Sequence, residues 1–180
     1  GTLGTASLTP SPYRAGAGSG YTNRGQYIFT AAELTAAGMV PGYITTIGWT
    51  TTTNTTNGTV PDLKIEMGLT SATTMTTSFI NTGLTTVWGP QSYTPLGAAF
   101  NQHTLSTPFY WDGVSSLVVG FCHTTPSPIG TSMNITQHTI SNRSVYSTST
   151  TTTCSQATGT LSTTRPVTVF TAQTGTNISS

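Results

Sequence analysis

The sequence predicts an all-β protein, an antiparallel β-sandwich or jelly-roll-like fold with one short helix near residues 31–37. Three observations carry that expectation. Short runs of β-branched and aromatic residues recur along the chain, separated by turn-forming pairs. One run, "DLKIEMGL", alternates as a half-buried strand must: Leu63, Ile65 and Met67 point one way, Asp62, Lys64 and Glu66 the other. Thr makes up about a quarter of the 180 residues. Its β-branched carbon favours strands, and its hydroxyl keeps a surface hydrated without charge.

Along the chain, "QYIFT" (Gln26–Thr30) reads as a strand leading into "TAAELTAAG". There Thr30 and Glu33 have capping-box spacing, and Gly38 can take the left-handed position that ends a helix. "GYITTIGW" (Gly42–Trp49) is the next strand, then "DLKIEMGL", "TTVWG" (Thr85–Gly89), "AFNQHTLS" (Ala99–Ser106) and "SSLVVGFCH" (Ser115–His123). "SMNITQHTI" (Ser132–Ile140), "SVYST" (Ser144–Thr148) and "RPVTVFTA" (Arg165–Ala172) follow, the last read as an internal core strand. Asn57-Gly58, Val60-Pro61, Gly89-Pro90, Asp112-Gly113 and "TPSPIG" punctuate these runs as turns. The length suits a single β-sandwich domain over residues 13–180, preceded by an N-terminal arm, residues 1–12.

Charged residues are only 5% of the chain, and five basic against four acidic side chains leave a formal charge of +1. DNA or RNA binding needs clustered Lys and Arg, so nucleic acid is not an expected partner. No apolar run approaches the roughly 18 residues of a spanning helix, so membrane insertion is not expected either. The chain opens "GTLGTAS" without Met, which reads as a processed, exported chain. Cys122 and Cys154 suit one disulfide in an oxidising, extracellular setting, the alternative being two buried thiols.

The order of segments resembles a β-sandwich module of secreted and cell-surface proteins of Bacteroidota, often those exported by the type IX system. The residues that carry it are the "YIFTAAELTAAG" helix, the "KIEMG" strand, the "WDG" turn and the aliphatic strand "SSLVVGFC" that ends in Cys122. The resemblance spans roughly residues 10–170. It implies an exported bacterial protein at the cell surface with an accessory, adhesive or structural role, and it brings no catalytic residues.

The residues themselves offer little chemistry. The carboxylates are Glu33, Asp62, Glu66 and Asp112. A glycosidase needs two flanking a cleft. Here Lys64 stands between Asp62 and Glu66 on one face, which reads as a solvated charge stripe. Glu33 is accounted for by its cap and Asp112 by its turn. Cys122 and His123 are adjacent in a strand and face opposite ways, so this His cannot serve that Cys as a base. His103, His123 and His138 fall on separate strands; hydrogen-bonded or surface roles are more usual than a shared metal. No enzyme activity, metal or cofactor is expected. The aromatics Trp49, Trp88, Tyr110 and Trp111 are candidates for a carbohydrate platform, weighed against a place in the core.

Self-assembly is the expected function. Sheet edges expose unpaired N–H and C=O groups that soluble proteins guard with charge, especially lysine, and this chain has one lysine. The expected product is a structural subunit of an extracellular filament or surface layer, its partners copies of itself joined by β-strand addition. The N-terminal arm is the first-choice inserted strand, with Leu3 and Leu8 as apolar anchors and a bend near Gly4. A carbohydrate-binding or adhesive module is the alternative. The polar stretch "GWTTTTNTTNGTV" then needs only to stay hydrated or carry sugar. Asn54, Asn57, Asn134, Asn142 and Asn177 match the N-glycosylation pattern, against the simpler reading of an unmodified loop.

Overall fold

The computed structural model describes residues 6–7, 10–13, 21–53, 58–125, 133–149 and 154–174. In chain order the elements are β1 (Ala6–Ser7), β2 (Tyr21–Phe29), α1 (Ala31–Ala36), β3 (Gly42–Thr50), β4 (Val60–Thr70) and β5 (Leu84–Tyr93). β6 (Phe100–Trp111), β7 (Ser116–Thr125), β8 (Ile135–Ser149), β9 (Thr160–Pro166) and β10 (Thr168–Thr174) complete them. Seven strands form one sheet in the order β1-β8-β2-β7-β4-β5, with β9 also paired to β8. The other three form a second sheet, β10-β3-β6. Every paired ladder is antiparallel. The fold is an all-β sandwich with one short helix.

The main core lies between the sheets. It includes Tyr27 and Phe29 of β2, Ile44, Ile47 and Trp49 of β3, Leu63, Ile65 and Met67 of β4, and Leu117, Val119 and Phe121 of β7. Each such side chain contributes roughly 1.5–3 kcal/mol by leaving water. The alternation in "DLKIEMGL" is therefore realised. A second cluster, Ile28, Val118 and Val145 with Met75 and Phe79, forms on the opposite side of β2 and β7. Those strands are buried on both faces, which is why "SLVVGF" reads as a continuous apolar run instead of an alternating one.

Several elements differ from the sequence expectation. The runs expected as Ser132–Ile140 and Ser144–Thr148 are not two strands: one strand, β8, runs Ile135–Ser149 and changes register between Thr139 and Ser144 around Asn142 at φ 57°, while Ser132 lies outside the described residues. Arg165–Ala172 is not one strand but the junction of two. After Pro166, Val167 donates to Thr136 O at 2.9 Å, and the chain passes from the large sheet into the small one. Among the described residues β10 is therefore an edge strand, not an internal one. β5 continues past Gly89 to Tyr93. Gly89 is required there: at φ 72°, a Cβ would lie 2.2 Å from Leu63 O. Helix α1 forms as expected. Glu33 N–H donates to Thr30 Oγ1 at 3.3 Å, Glu33 Oε2 accepts from Thr30 N–H at 2.8 Å, and Gly38 stands at φ 87°.

The N-terminal arm is not a free strand over its described part. Ala6 and Ser7 pair with Thr136 and Ile135 of the same chain. Tyr27 Oη donates to Pro10 O at 2.5 Å, Asn23 Nδ2 donates to Ser11 O at 2.8 Å, and Tyr13 is fully buried. Residues 10–13 close the end of the core, because burying the Tyr13 ring pulls their backbone in. Leu3 and Leu8 lie outside the described residues.

Candidate functional site

The three strands β3, β6 and β10 contain no Asp, Glu, Lys or Arg. One side of this sheet faces the core through Ile44, Ile47, Trp49 and Trp111. Alternation then sends the intervening residues outward. Register places Tyr43 opposite both Tyr110 and Gln173, Thr46 opposite Thr104 and Thr171, and Gly48 opposite Gln102 and Val169. A register shift at Thr45 on the β6 side, matched by one between Thr171 and Ala172 of β10, keeps the two halves of the face in phase.

The outward rings sit at the two ends of this face. Tyr43 and Tyr110, each 48% exposed, make an edge-on pair with centroids 5.2 Å apart. Phe100, 40% exposed, lies over Gly48; a Cβ on that glycine would come 2.4 Å from Phe100 Cζ. The missing side chain is thus filled by a neighbouring ring. Between the ends lie hydroxyls and amides, with Thr46 Oγ1 donating to Thr171 Oγ1 at 2.8 Å. Among the described residues, β10 is hydrogen-bonded to β3 alone, so its other side is an open edge. Val169, in its middle, is 48% exposed.

The tryptophan platform expected from the sequence is not on the surface. Trp49 and Trp111 are fully buried and Trp88 is 7% exposed. The buried indole N–H groups have acceptors, as burial demands: Trp49 Nε1 donates to Thr168 Oγ1 at 3.0 Å, and Trp111 Nε1 to Ser115 O at 2.9 Å. Of the four candidates only Tyr110 is exposed, and its neighbour Tyr43 is the residue that the sequence reading missed. The signal was available in "GYITTIGW": Tyr43 precedes the inward Ile44, so alternation points it outward.

Cys122 of β7 and Cys154 form the expected disulfide, with Cα atoms 5.7 Å apart. Beside it a recess of about 420 Å³ is lined by Arg24, Lys64, Glu66 and Asn81. Lys64 Nζ pairs with Glu66 at 2.8 Å, and Arg24 is held by Asn81 Oδ1 at 2.6 Å, by Gln156 O and over the Phe79 ring. Asp62 sits at φ 52° where the β4–β5 register shifts and does not line this recess with Glu66. The Ser115 hydroxyl donates to Asp112, as do the backbone N–H groups of Ser115 and Val114, and these bonds, the hydroxyl's first, hold its carboxyl below the usual range. Glu33 caps its helix and also meets Arg165 at 3.2 Å.

The histidines do not converge. Among the described residues no three His, Cys, Asp or Glu side chains form a metal-binding group. His103 is in the core, its Nε2 2.7 Å from Tyr13 Oη. His123 is also buried, and His138 is half-buried on β8. Of the asparagines in glycosylation patterns, Asn142 is exposed at the β8 bulge and Asn134 is half-buried; Asn54, Asn57 and Asn177 lie outside the described residues. No helix among the described residues is long and apolar enough to cross a membrane.

No family model matches the chain, and neither a curated protein nor a solved structure aligns with it significantly.

Proposed function

We propose that this chain is a structural, self-associating subunit of an extracellular filament or surface layer, in which the open edge of β10 accepts a strand from a neighbouring copy. One observation carries the reading: among the described residues, β10 is an edge strand in a sheet whose three strands bear no ionic side chain. Natural edges are ordinarily guarded by lysine, proline, bulges or a covering element, and charge is the guard missing from this sheet. A strand laid along β10 satisfies its free N–H and C=O groups and covers Val169. The donor is a segment other than Ala6–Ser7, which is committed to β8 of its own chain. A donor and an acceptor surface that differ give a contact that does not close, hence a filament. The disulfide suits an oxidising compartment. The sequence resemblance to surface modules of Bacteroidota supports export from a bacterial cell.

Light scattering on the full chain and on Thr171→Lys, which restores a guarding charge at an exposed edge position, tests this. The wild type is expected to grow in mass with concentration, while the variant stays at the 18.7 kDa of one chain. A wild type that remains monomeric at high concentration overturns the proposal. A particle that stops at twice the subunit mass, as two β10 edges closing on each other would give, contradicts the filament.

A further inference from the structure

The outward face of the three-stranded sheet is a different surface from its edge, because side chains stand normal to the sheet while the free backbone groups lie within it. We infer that this face is a binding site for a neutral polysaccharide, with the Tyr43–Tyr110 pair and Phe100 as its two stacking points and Gln102, Thr104 and Gln173 as hydrogen-bonding groups.

Three features select that ligand. The first is charge. With no ionic side chain on any of the three strands, the face offers no counter-charge to an anionic polymer, a nucleic acid or a phosphorylated headgroup. The second is the arrangement of rings. The faces of aromatic rings carry partial negative charge. The C–H groups on one side of a sugar ring carry partial positive charge and lie flat enough to stack on them. Phe100 pairs with Thr50, seven residues along β3 from Tyr43. That separation is about 20 Å on an extended strand, which spans several sugar rings and not one. The third is what lies between. Gln102 and Thr104 are exposed there, and Gln173 is exposed beside Tyr43. Amides and hydroxyls both donate and accept, as sugar hydroxyls require.

A second copy of the chain is a poorer occupant. Protein interfaces concentrate apolar side chains in their centre and keep the polar groups at the rim. This face has its rings at the two ends, with Val169 as the one large apolar side chain among the hydroxyls and amides between them.

The test is native affinity electrophoresis of the full chain in gels containing a soluble neutral β-glucan or, separately, anionic alginate. A parallel pull-down uses microcrystalline cellulose. The expected result is retardation by the neutral polymer and none by alginate. The double variant Tyr43→Ala/Tyr110→Ala is expected to bind at least tenfold more weakly. Tyr43→Phe/Tyr110→Phe, which keeps both rings, should retain most of the affinity. If the alanine variant loses its fold by circular dichroism, Gln102→Ala/Gln173→Ala serves in its place, with weaker binding again expected. No binding to either neutral polymer, equal retardation by alginate, or unchanged affinity in these variants overturns the inference. The alanine variant should also keep the wild-type mass profile in solution. A loss of self-association there would make the face a contact between copies and would equally overturn the inference.

Discussion

His103 should make this protein acid-labile well above the range in which carboxylates titrate. The imidazole is packed among the rings of Tyr13, Trp49, Trp88 and Tyr93, with centroid distances from 4.5 to 6.0 Å. Its Nε2 meets Tyr13 Oη, and its Nδ1 has no hydrogen-bond partner among the described residues. A proton added here places an unpaired charge in an apolar cage. Burial therefore lowers the His103 pKa from 6.5 to about 4. The sign follows directly: between those values the unfolded chain binds the proton and the folded chain does not, so stability falls as the pH falls. The full difference amounts to roughly 3.4 kcal/mol, of which roughly 2 kcal/mol is gone by pH 5. That is a large part of the 5–15 kcal/mol typical of a domain. Urea unfolding at pH 7, 6 and 5 measures it, with His103→Gln, which has no proton to gain there, as the control. The wild type should lose about 2 kcal/mol over this range and the variant little. A wild-type stability that is flat between pH 7 and 5, or an equal slope in the glutamine variant, refutes the reasoning.

Two other perturbations have defined outcomes. Replacing both Cys122 and Cys154 by Ala opens a loop spanning 32 residues of sequence separation and should lower the unfolding free energy by roughly 3–4 kcal/mol in chemical denaturation; a loss below 1 kcal/mol would show that the linkage constrains the unfolded chain little. Gly48→Ala drives a methyl to 2.4 Å from Phe100 Cζ and 2.7 Å from Asn101 O, and since the carbonyl is backbone the cost should be about 1–3 kcal/mol, with only partial recovery when Phe100→Ala is added; unchanged stability would mean that the small sheet yields easily.

What could be read from the sequence followed from local rules. The capping box at Thr30 and Glu33, the inward side of "DLKIEMGL" and the turn at Gly113 depend on residues whose spacing states their role, and the disulfide follows from a pair of cysteines in a chain that reads as exported. What could not be read depends on which sheet a strand joins. The run from Arg165 to Ala172 has no local sign that Val167 is a corner, so an edge strand looked like a core strand. The tryptophans look like a platform until Thr168 and Ser115 are seen to receive their N–H groups. Asn142 adopts a left-handed conformation and continues β8 where two separate strands were expected. Tyr43 was hidden for a different reason. Its outward direction is fixed by Ile44, but its partner Tyr110 is 67 residues away in the chain, and only register brings the two rings together.

Hydrogen exchange at residue resolution tests the role of β10 most directly, because the proposal concerns particular N–H groups. In dilute protein, alternate amides within Thr168–Thr174 point away from β3 and should exchange quickly. At concentrations where mass increases, those same amides should become protected, and Thr171→Lys should return them to fast exchange. Equal exchange of the β10 amides in dilute and concentrated protein, with protection rising elsewhere or nowhere, would contradict assembly through this edge.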